Sequence, residues 1–382
     1  MKIVNIVGAR PNFVKIAPLM REMRRHPTIV PTLVHTGQHY DEAMSQQFFA
    51  ELDIPAPDVN LGVGSGSHAI QTAEVMRRLE PLLEGALTPD LVVVVGDVNS
   101  TLAAALTAVK LGIPVAHIEA GLRSFDRTMP EEINRVLSDA IADLLFVTEE
   151  SGRDNLLREG VAPDKIHFVG NVMIDALLAS KPHWERSSIG DRLGLELERP
   201  YAVLTLHRAS NVDDRSALMN LFEALHELAR DLPIVFPVHP RTKPQLLGLD
   251  GVFWVSADSA KPLPDKAILC VDPLGYLDFV RLMSRARLVL TDSGGIQEET
   301  TVLGVPCLTL RATTERPVTV THGTNRVIGT DPARIVKEAL WTLDHPPHQP
   351  GFPPLWDGRA AGRIVQTILE YGACGARAAG LA

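Results

Sequence analysis

The chain of 382 residues is longer than one hydrophobic core usually supports, so its length predicts two domains. Apolar residues at 45% and charged residues at 22% are ordinary for globular proteins and exclude a disordered or fibrous chain. The net charge is −9 and no cluster of Lys or Arg resembles a nucleic-acid-binding surface, so we expect no nucleic acid as a partner. No apolar run approaches the ~18 residues that cross a bilayer, so we expect no membrane as a partner either.

The first half of the chain alternates short apolar strands with helices of amphipathic spacing. Strands that are apolar throughout are typical of a parallel sheet covered on both faces, and so of a doubly wound α/β domain. One helix is predicted to begin after Asn99 and Ser100, which are good N-cap residues. The predicted strands are residues 3–7, 32–35, 91–95, 114–118, 144–147 and 166–169. Since the chain enters its first strand without a signal-peptide pattern, we expect a cytoplasmic protein.

The second half repeats this pattern after a break near residue 170. Its predicted strands are residues 201–206, 233–238, 266–271, 288–291 and 306–310. We therefore predict two Rossmann-like domains, residues 1–170 and 171–359. Because open α/β sheets bind ligands beyond the carboxyl ends of their strands, we expect the functional residues to follow strands and to face each other across a cleft between the domains.

The first strand leads into Gly8-Ala9-Arg10-Pro11 and a helix that carries Lys15. A helix N-terminus with Arg10 and Lys15 beside it suits a diphosphate. A Gly-Pro turn with two solvated cations is an equally good interpretation of this segment.

Three acidic residues of the first half are expected at one edge of the sheet. Asp97 follows residues 91–95, Glu119 follows residues 114–118, and Glu131 opens the next helix. Each alone is more simply a capping or turn residue. Like charges that converge on one edge cost stability unless they serve chemistry, so together they predict a catalytic site.

The second half places His207-Arg208 and His239-Pro240-Arg241 after strands. A lone histidine there is more often structural, but two beside arginines favour function. A further strand turns through Ser293-Gly294-Gly295 into a helix, which presents free amides and a hydroxyl to a phosphate. Glu299, one turn into that helix, is placed to accept hydrogen bonds from ribose hydroxyls. The alternative interpretation, a plain tight turn without a ligand, does not explain why the helix begins with such polar residues.

Several cofactor motifs are absent. The glycines of residues 62–66 do not form GxGxxG, and there is neither a Walker A lysine nor a GxSxG motif, so no nicotinamide or other cofactor is predicted. His35 and His39 are four residues apart, but the glycine between them indicates a loop. Since Cys270, Cys307 and Cys374 form no metal-ligand pair, we predict no metal and reduced cysteines.

In this order and spacing, the motifs resemble those of the non-hydrolysing UDP-N-acetylglucosamine 2-epimerases over nearly the whole chain. The resemblance implies two Rossmann-like domains in a GT-B arrangement with the active site in the interdomain cleft. It also implies that the helix of the final segment, residues 360–382, packs back on the first domain. A homodimer is implied as well. The motifs that carry it are residues 8–11, Thr36-Gly37-Gln38-His39, Gly96-Asp97, residues 117–123, residues 130–135, residues 292–299 and residues 314–317.

The resemblance also implies roles for individual residues. Asp97, Glu119, Glu131 and His207 are implied to be catalytic. The residues implied to bind the UDP-sugar are Arg10, Lys15, His239, Leu274, Phe279, Ser293, Gly294, Gly295, Glu299 and Arg316, with Leu274 and Phe279 near the uracil. The implied reaction eliminates UDP to give a glucal and adds it back with a proton delivered to the other face of C2. Two proton-transfer groups are therefore required, and the sequence does not assign a carboxylate to each face.

At residues 38–41 and 207–211 the sequence differs from that of many bacterial members. In the family, these positions are associated with activation by a second substrate molecule. The resemblance therefore does not extend to that activation. The loop of residues 121–130 is short, and in this it resembles the corresponding loop of a subgroup that includes epimerases of diacetamido uronic sugars. The motifs are also compatible with a hydrolysing epimerase, with a glycosyltransferase of the same fold that uses a UDP-sugar, and with a nucleotide-sugar-binding protein without activity.

Overall fold

The computed structural model describes residues 1–37, 51–240, 242–248, 251–255, 267–346 and 351–379, without the side chains of Arg10 and residues 374–379. The chain forms two compact units, one of residues 1–179 with 354–382 and the other of residues 180–353. The predicted α/β class with two Rossmann-like domains is confirmed. Within the described residues, no helix is both long and apolar enough to cross a membrane.

The first unit contains a seven-stranded parallel sheet in the order β3-β2-β1-β4-β5-β6-β7. The strand at its centre, Leu91–Val95, is apolar and buried over its whole length, as expected for a sheet covered on both faces. The strands are β1 (Lys2–Val7), β2 (Val30–His35), β3 (Val59–Asn60), β4 (Leu91–Val95), β5 (Val115–Ala120), β6 (Leu144–Val147) and β7 (Ile166–Phe168).

Helices connect these strands. They are α1 (Arg10–Met23), α2 (His68–Pro81), α3 (Asn99–Lys110), α4 (Pro130–Ile141), α5 (Glu150–Arg158) and α6 (Val172–Ala179), with a π-helical turn at Leu82–Leu87 and a 3₁₀ turn at Pro163–Lys165. Helix α3 begins at Asn99 itself, and its N-cap is Val98, one residue before the predicted cap residues Asn99 and Ser100. The Asn99 side chain does not cap the helix because it contacts other side chains, donating to Gln71 Oε1 at 2.9 Å.

The first unit extends past residue 170, where the sequence placed the junction. Helix α6 packs against α1 and against the C-terminal helix (Ala360–Ala379). The Asp175 carboxylate of α6 accepts from the backbone amides of Ala360 at 3.1 Å and Ala361 at 2.7 Å. These long-range bonds, which the local pattern does not encode, place both α6 and the C-terminal helix in the first unit.

The second unit repeats the architecture with the strand order β10-β11-β9-β8-β12-β13-β14, again all parallel. Its strands are β8 (Ala202–Thr205), β9 (Ile234–Pro237), β10 (Val252–Trp254), β11 (Ile268–Val271), β12 (Leu288–Thr291), β13 (Cys307–Thr309) and β14 (Asn325–Val327). The sequence did not predict β3, β10 or β14, which are two- or three-residue strands at the sheet edges.

The helices of the second unit complete the fold. They are α7 (Lys181–Trp184), α8 (Ile189–Leu193), α9 (Ala209–Val212), α10 (Arg215–Leu228), α11 (Lys243–Leu246), α12 (Tyr276–Arg285), α13 (Gly294–Leu303), α14 (Val318–Thr321) and α15 (Pro332–Asp344), and the C-terminal helix is α16. In both sheets the strand order reverses at one point, between β1 and β4 in the first and between β8 and β12 in the second. Such a reversal opens a crevice at the carboxyl ends of the strands, where ligands bind in this class of fold.

Candidate active site

Glu119 lies in an unusual backbone conformation in the first unit. The sequence placed it just beyond the strand, but β5 continues to Ala120, and its register with β6 shifts between Ile118 and Ala120. Glu119 therefore sits in a bulge with φ of +71°. A left-handed conformation at a residue other than glycine costs about 1–3 kcal/mol and is typical of functional positions.

The side chain of Glu119 is 6% exposed and pairs with the Lys15 ammonium group. Lys15 was predicted to bind a diphosphate together with the amides of the Gly8–Asn12 turn. The Asn12 side chain occupies two of those amides, since its Oδ1 accepts from Gly8 N and Ala9 N, both at 3.0 Å. These two amides are therefore already occupied and cannot bind a diphosphate, and the Lys15 ammonium group contacts a carboxylate.

Asp97 follows β4 by two residues and is fixed by the guanidinium group of Arg135. Arg135 Nε and Nη2 both donate to Asp97 Oδ2, at 3.0 and 2.7 Å. The Asn134 side chain donates to the Asp97 carbonyl at 2.9 Å. The Asp97 side chain keeps 26% of its surface exposed, so it is both held in place and accessible.

Glu131 and Glu132 are neighbours on the first turn of α4 but differ in their contacts. Buried Glu132 accepts from the amides of Ser124 and Phe125, both at 2.9 Å, and from Arg135 Nη1 at 2.6 Å. Burial raises the pKa of Glu132, but these amides and Arg135 lower it by more, so it is held ionised as a structural anchor. The side chain of half-buried Glu131 has no hydrogen bond or ion pair within the part of the chain that the structure describes.

A buried network that the sequence did not predict lies next to these carboxylates. His117 of β5 contacts Asp139 of α4 at 2.7 Å and the Gly96 carbonyl at 2.8 Å. Arg123 contacts the other Asp139 oxygen at 2.7 Å. The sequence does contain a signal for the part of this network that lies on α4. Glu132, Arg135 and Asp139 are spaced i, i+3 and i+7, which is the spacing of residues on one face of a helix.

In the second unit, the reversal point is organised by Asp292, which follows β12 and is fully buried. Its carboxylate accepts from the amides of His207 and Arg208, at 3.1 and 3.0 Å, and contacts His207 Nδ1 at 3.0 Å. Burial raises the pKa of Asp292, but the bonds from His207 and Arg208 lower it by more. Because Nδ1 then donates to the carboxylate, Nε2 of His207 is the nitrogen left for chemistry, on a side chain that is 43% exposed.

Helix α13 begins directly after Asp292 and Ser293, at Gly294. Ser293 is its N-cap, but the Ser293 side chain makes no capping hydrogen bond. A Cβ added at Gly294 would lie 2.7 Å from Glu315 Oε1 and closer still to Arg316 Nη1, so any larger residue here would displace these two side chains or the turn itself. The start of α13 thus keeps the uncapped amides and hydroxyl that suit a phosphate.

Arg316 is buried beneath this turn. It forms ion pairs with Glu298 at 2.8 Å and Glu315 at 2.6 Å. Glu315 also pairs with Arg311 at 2.8 Å. The sequence predicted a ligand-binding Arg316 but did not predict the two carboxylates that position it.

Glu299 lies on the second turn of α13 and is buried. Tyr276 donates to its Oε1 at 3.0 Å. Burial raises the pKa of Glu299 from 4.5 to about 7, Tyr276 opposes that rise, and the charge of Glu298 adds to it. Glu299 is therefore a carboxyl group that changes its charge near neutral pH.

The other predicted ligand-binding residues lie around this edge of the second unit. Leu274 and Phe279 are partly buried and pack against a hydrophobic core cluster of the second unit that includes Ile296 of α13. The rings of His207 and His239 are 6.0 Å apart. The side chain of Arg10, together with Gln38, His39 and Arg241, lies outside the described residues.

The family model described as UDP-N-acetylglucosamine 2-epimerase matches residues 21–369. The chain belongs to this family. The resemblance indicated by the sequence motifs is confirmed.

Relatives in the family match the chain over almost its whole length. A UDP-N-acetylglucosamine 2-epimerase of Methanocaldococcus jannaschii is 43% identical over 97% of this chain and 100% of its own length. A UDP-2,3-diacetamido-2,3-dideoxy-D-glucuronate 2-epimerase of Pseudomonas aeruginosa is 39% identical over 97% of this chain and 99% of its own.

A crystal structure of the M. jannaschii UDP-GlcNAc 2-epimerase in complex with UDP-GlcNAc and UDP superimposes with a TM-score of 0.86. The two sequences are 42% identical, and the match covers 97% of this chain and 100% of that one. The similarity to a family member therefore extends through both units.

Proposed function

We propose that this chain interconverts UDP-N-acetylglucosamine and UDP-N-acetylmannosamine by inverting C2 of the sugar without net hydrolysis. The observation that carries the proposal is the pair of carboxylates at the reversal point of the first sheet, Glu119 in a strained bulge and Asp97 held by Arg135. In a chain of this family, such a pair supports proton transfer at a carbon that has no neighbouring carbonyl group.

The reaction begins with cleavage of the bond between C1 and the UDP oxygen. Developing positive charge on the ring acidifies the hydrogen on C2, and a carboxylate of the first unit removes it to leave a glucal and UDP. UDP then adds back to C1 while a second group delivers a proton to the opposite face of C2. Asp97, Glu119 and Glu131 are the candidates for these transfers, and the same carboxylates stabilise the cationic ring.

The second unit binds UDP in this proposal. The amides of Gly294 and Gly295, the Ser293 hydroxyl and the Arg316 guanidinium group stabilise the departing diphosphate. The Ser293 amide itself donates to Thr291 Oγ1 at 3.0 Å. Glu299 accepts hydrogen bonds from the ribose hydroxyls, Leu274 and Phe279 contact the uracil, and His239 contributes to substrate binding. His207, oriented by Asp292, donates a hydrogen bond or a proton from Nε2 to the leaving diphosphate. Arg10 of the first unit adds a cation for the diphosphate.

Lys15 has a second task in addition to its proposed contact with the diphosphate. Its ion pair with Glu119 supports a role in holding that carboxylate within the bulge. A lysine that serves both groups would couple departure of UDP to proton transfer at C2.

The test is incubation of the chain with UDP-N-acetylglucosamine in deuterated water, with C2 followed by proton NMR. We expect deuterium to enter at C2 while UDP-N-acetylmannosamine accumulates without free sugar. Release of free N-acetylmannosamine would favour a hydrolysing epimerase. Turnover without deuterium at C2 would refute the proposed reaction and favour a transferase, and binding without turnover would indicate a binding protein.

A second candidate substrate is the UDP-2,3-diacetamido glucuronate, favoured by the 39% identity to the P. aeruginosa enzyme. The two substrates differ at C3 and C6, so the comparison is between their kcat/KM values on the same preparation. A higher kcat/KM for UDP-N-acetylglucosamine is expected. The opposite order would reassign the substrate and leave the C2 chemistry unchanged.

Further proposals concern assembly and context. We propose a homodimer that acts in the cytoplasm in polysaccharide biosynthesis and needs no metal or organic cofactor. Light scattering coupled to size exclusion tests the dimer, with twice the chain mass of 41.6 kDa expected. Full activity after dialysis against a chelator is expected, and loss of activity that a divalent cation restores would contradict the metal-free mechanism.

A further inference from the structure

The buried ring of His117 lies between two hydrogen-bond acceptors. Its Nδ1 is 2.7 Å from a carboxylate oxygen of Asp139, and its Nε2 is 2.8 Å from the Gly96 carbonyl oxygen. His117 is 1% exposed, so water does not substitute for either partner. The ring therefore joins the end of β4, just before Asp97, to helix α4.

The chemistry of these partners determines the protons on the ring. A backbone carbonyl has no hydrogen to donate, so Nε2 must carry one. Arg123 contacts the second oxygen of Asp139 at 2.7 Å, and the Gly121 amide donates to the same oxygen at 3.0 Å. Both contacts favour the ionised carboxylate, so Nδ1 must carry a hydrogen as well. A ring with a hydrogen on each nitrogen is an imidazolium cation.

The charged groups around the ring support this state. Burial lowers the pKa of His117, but Asp139, the Gly96 carbonyl and the charge of Glu119 together raise it by more. The neighbouring cations Arg123 and Lys15 each pair with a carboxylate, Arg123 with Asp139 and Glu159 and Lys15 with Glu119.

Asp139 also holds both sides of the bulge that contains Glu119. One of its oxygens bonds to His117, two residues before Glu119, and the other accepts from the amide of Gly121, two residues after it. A single carboxylate thus spans the segment in which Glu119 adopts its φ of +71°. Since a strained residue persists only when its surroundings fix it, this clamp supplies the constraint.

We propose that His117 is a positioning residue, held as an imidazolium cation, which with Asp139 fixes Glu119 and the Gly96-Asp97 turn in the geometry that proton transfer at C2 requires. This inference rests on the proposed function for its catalytic consequence. The state of the ring follows from the local geometry alone and is tested separately.

The first test is NMR of the wild-type chain labelled with ¹⁵N in its 13 histidines. We expect one ring with slowly exchanging protons on both nitrogens from about pH 6 to about pH 9, a range over which an ordinary histidine loses one proton. His117→Gln identifies that ring, and Asp139→Asn perturbs it. A His117 ring with a single N–H in this range would overturn the inference, whether or not the chain is an epimerase.

The second test measures catalysis by His117→Gln and Asp139→Asn. A displacement of about 1 Å in a catalytic group costs about 100-fold in rate, so we expect kcat for C2 exchange to fall by about that factor in each variant. The dissociation constant for UDP should stay within about twofold, since the proposed UDP-binding residues lie mainly in the second unit. The double variant should lose no more than the more impaired single variant, because the two side chains act as one unit.

The matched control is Asp143→Asn. Asp143 accepts from the Val115 amide at 3.0 Å, at the opposite end of the same strand, so its loss should leave kcat unchanged. Circular dichroism establishes which variants fold, and only folded variants enter the comparison. A folded His117→Gln with normal kcat would overturn the positioning role, as would losses that multiply in the double variant. An inactive wild-type chain would refute the proposed function, and the NMR result would still decide the state of the ring.

Discussion

The two units share a topology but present different chemistry at the same place. Each sheet reverses its strand order once, and the proposed site residues lie beside that point. In the first unit they are Asp97, which follows β4 and is partly exposed, and Glu119, which lies in the bulge of β5 and is strained, each paired with a cation. In the second unit they are an uncapped helix start and a fully buried carboxylate, Asp292.

In the proposed function, this difference adapts one fold to two tasks. Asp292 receives hydrogen bonds from backbone amides and from His207, so it acts as an anchor for other groups. Asp97 and Glu119 are held by cationic side chains, in positions that keep a carboxylate in place for a reaction. Topology thus selects the location of a site, and the side chains at that location select its chemistry.

The largest expected effect is that of Asp97→Asn. The amide keeps the size of the side chain but removes the carboxylate that we propose transfers a proton or stabilises the cationic ring, so kcat should fall by about a thousandfold or more. Asp90→Asn is the matched control, because Asp90 lies at the opposite end of β4 and bonds to the Lys2 amide at 2.7 Å. Deuterium incorporation at C2 measures both, and near-normal incorporation by Asp97→Asn would remove Asp97 from the mechanism.

Asp292→Asn tests whether the second unit's carboxylate is an anchor. An asparagine cannot accept from His207 and from both amides at once, so His207 should lose its orientation and kcat should fall by about 100-fold. Asp331→Asn, at the N-cap of α15 in the same unit, should leave kcat unchanged, since asparagine caps helices well. An Asp292→Asn variant with unchanged kcat would show that His207 needs no such support.

Gly294→Ala tests the helix start as the UDP site. Because the added methyl group would collide with Arg316 and Glu315, either the turn or the proposed diphosphate ligand Arg316 must shift, and we expect UDP affinity to fall by about tenfold, or about 1.4 kcal/mol. Gly362→Ala, in α16 with open space around the new Cβ, should keep UDP affinity and gain about 0.5–1 kcal/mol of stability. Calorimetric titration with UDP compares the two variants, and equal affinities would remove the turn from the binding site.

At neutral pH the smallest expected effect is the pH dependence of UDP binding that arises from Glu299. Its pKa of about 7 makes the carboxylate scarce below neutral pH, so UDP affinity should weaken by up to about tenfold per pH unit there. Tyr276→Phe removes the bond that favours the carboxylate and should move this profile to higher pH, whereas Glu299→Gln should abolish it. A profile unchanged in Glu299→Gln would assign the titration to another group.

The same raised pKa has the opposite effect on folding stability. Between pH 4.5 and about 7, the folded chain holds a proton on Glu299 that the unfolded chain lacks. The contribution of this group therefore favours folding most at low pH and is lost as pH rises through about 7. Denaturant unfolding of wild type and Glu299→Gln should show a smaller fall in stability across this range in the variant. Identical slopes would contradict the burial of an ionisable Glu299.

The sequence predicted those features that depend on short segments. Apolar runs such as Leu91–Val95 identified the central strands, and the residues after them identified Asp97 and the Ser293 turn. The bulge at Glu119 and the contact of Asp139 with Gly121, 18 residues away in sequence, depend on how strands and helices pack, and the local pattern does not contain them. The same holds for Tyr276 and Glu299, which meet from two different helices.

The short strands and the unit boundary were missed for a related reason. A strand of three residues such as Val252–Trp254 carries too few positions for a period to show. Helix α6 belongs to the first unit through Asp175, whose partners lie 185 and 186 residues later in the chain.

The division of tasks between the units is tested most directly by titrating Asp97→Asn with UDP in a calorimeter, beside wild type. The account predicts a dissociation constant within about twofold of the wild-type value in a variant that has lost deuterium exchange at C2. Loss of UDP binding together with exchange, in a folded variant, would contradict the separation of proton transfer from nucleotide binding.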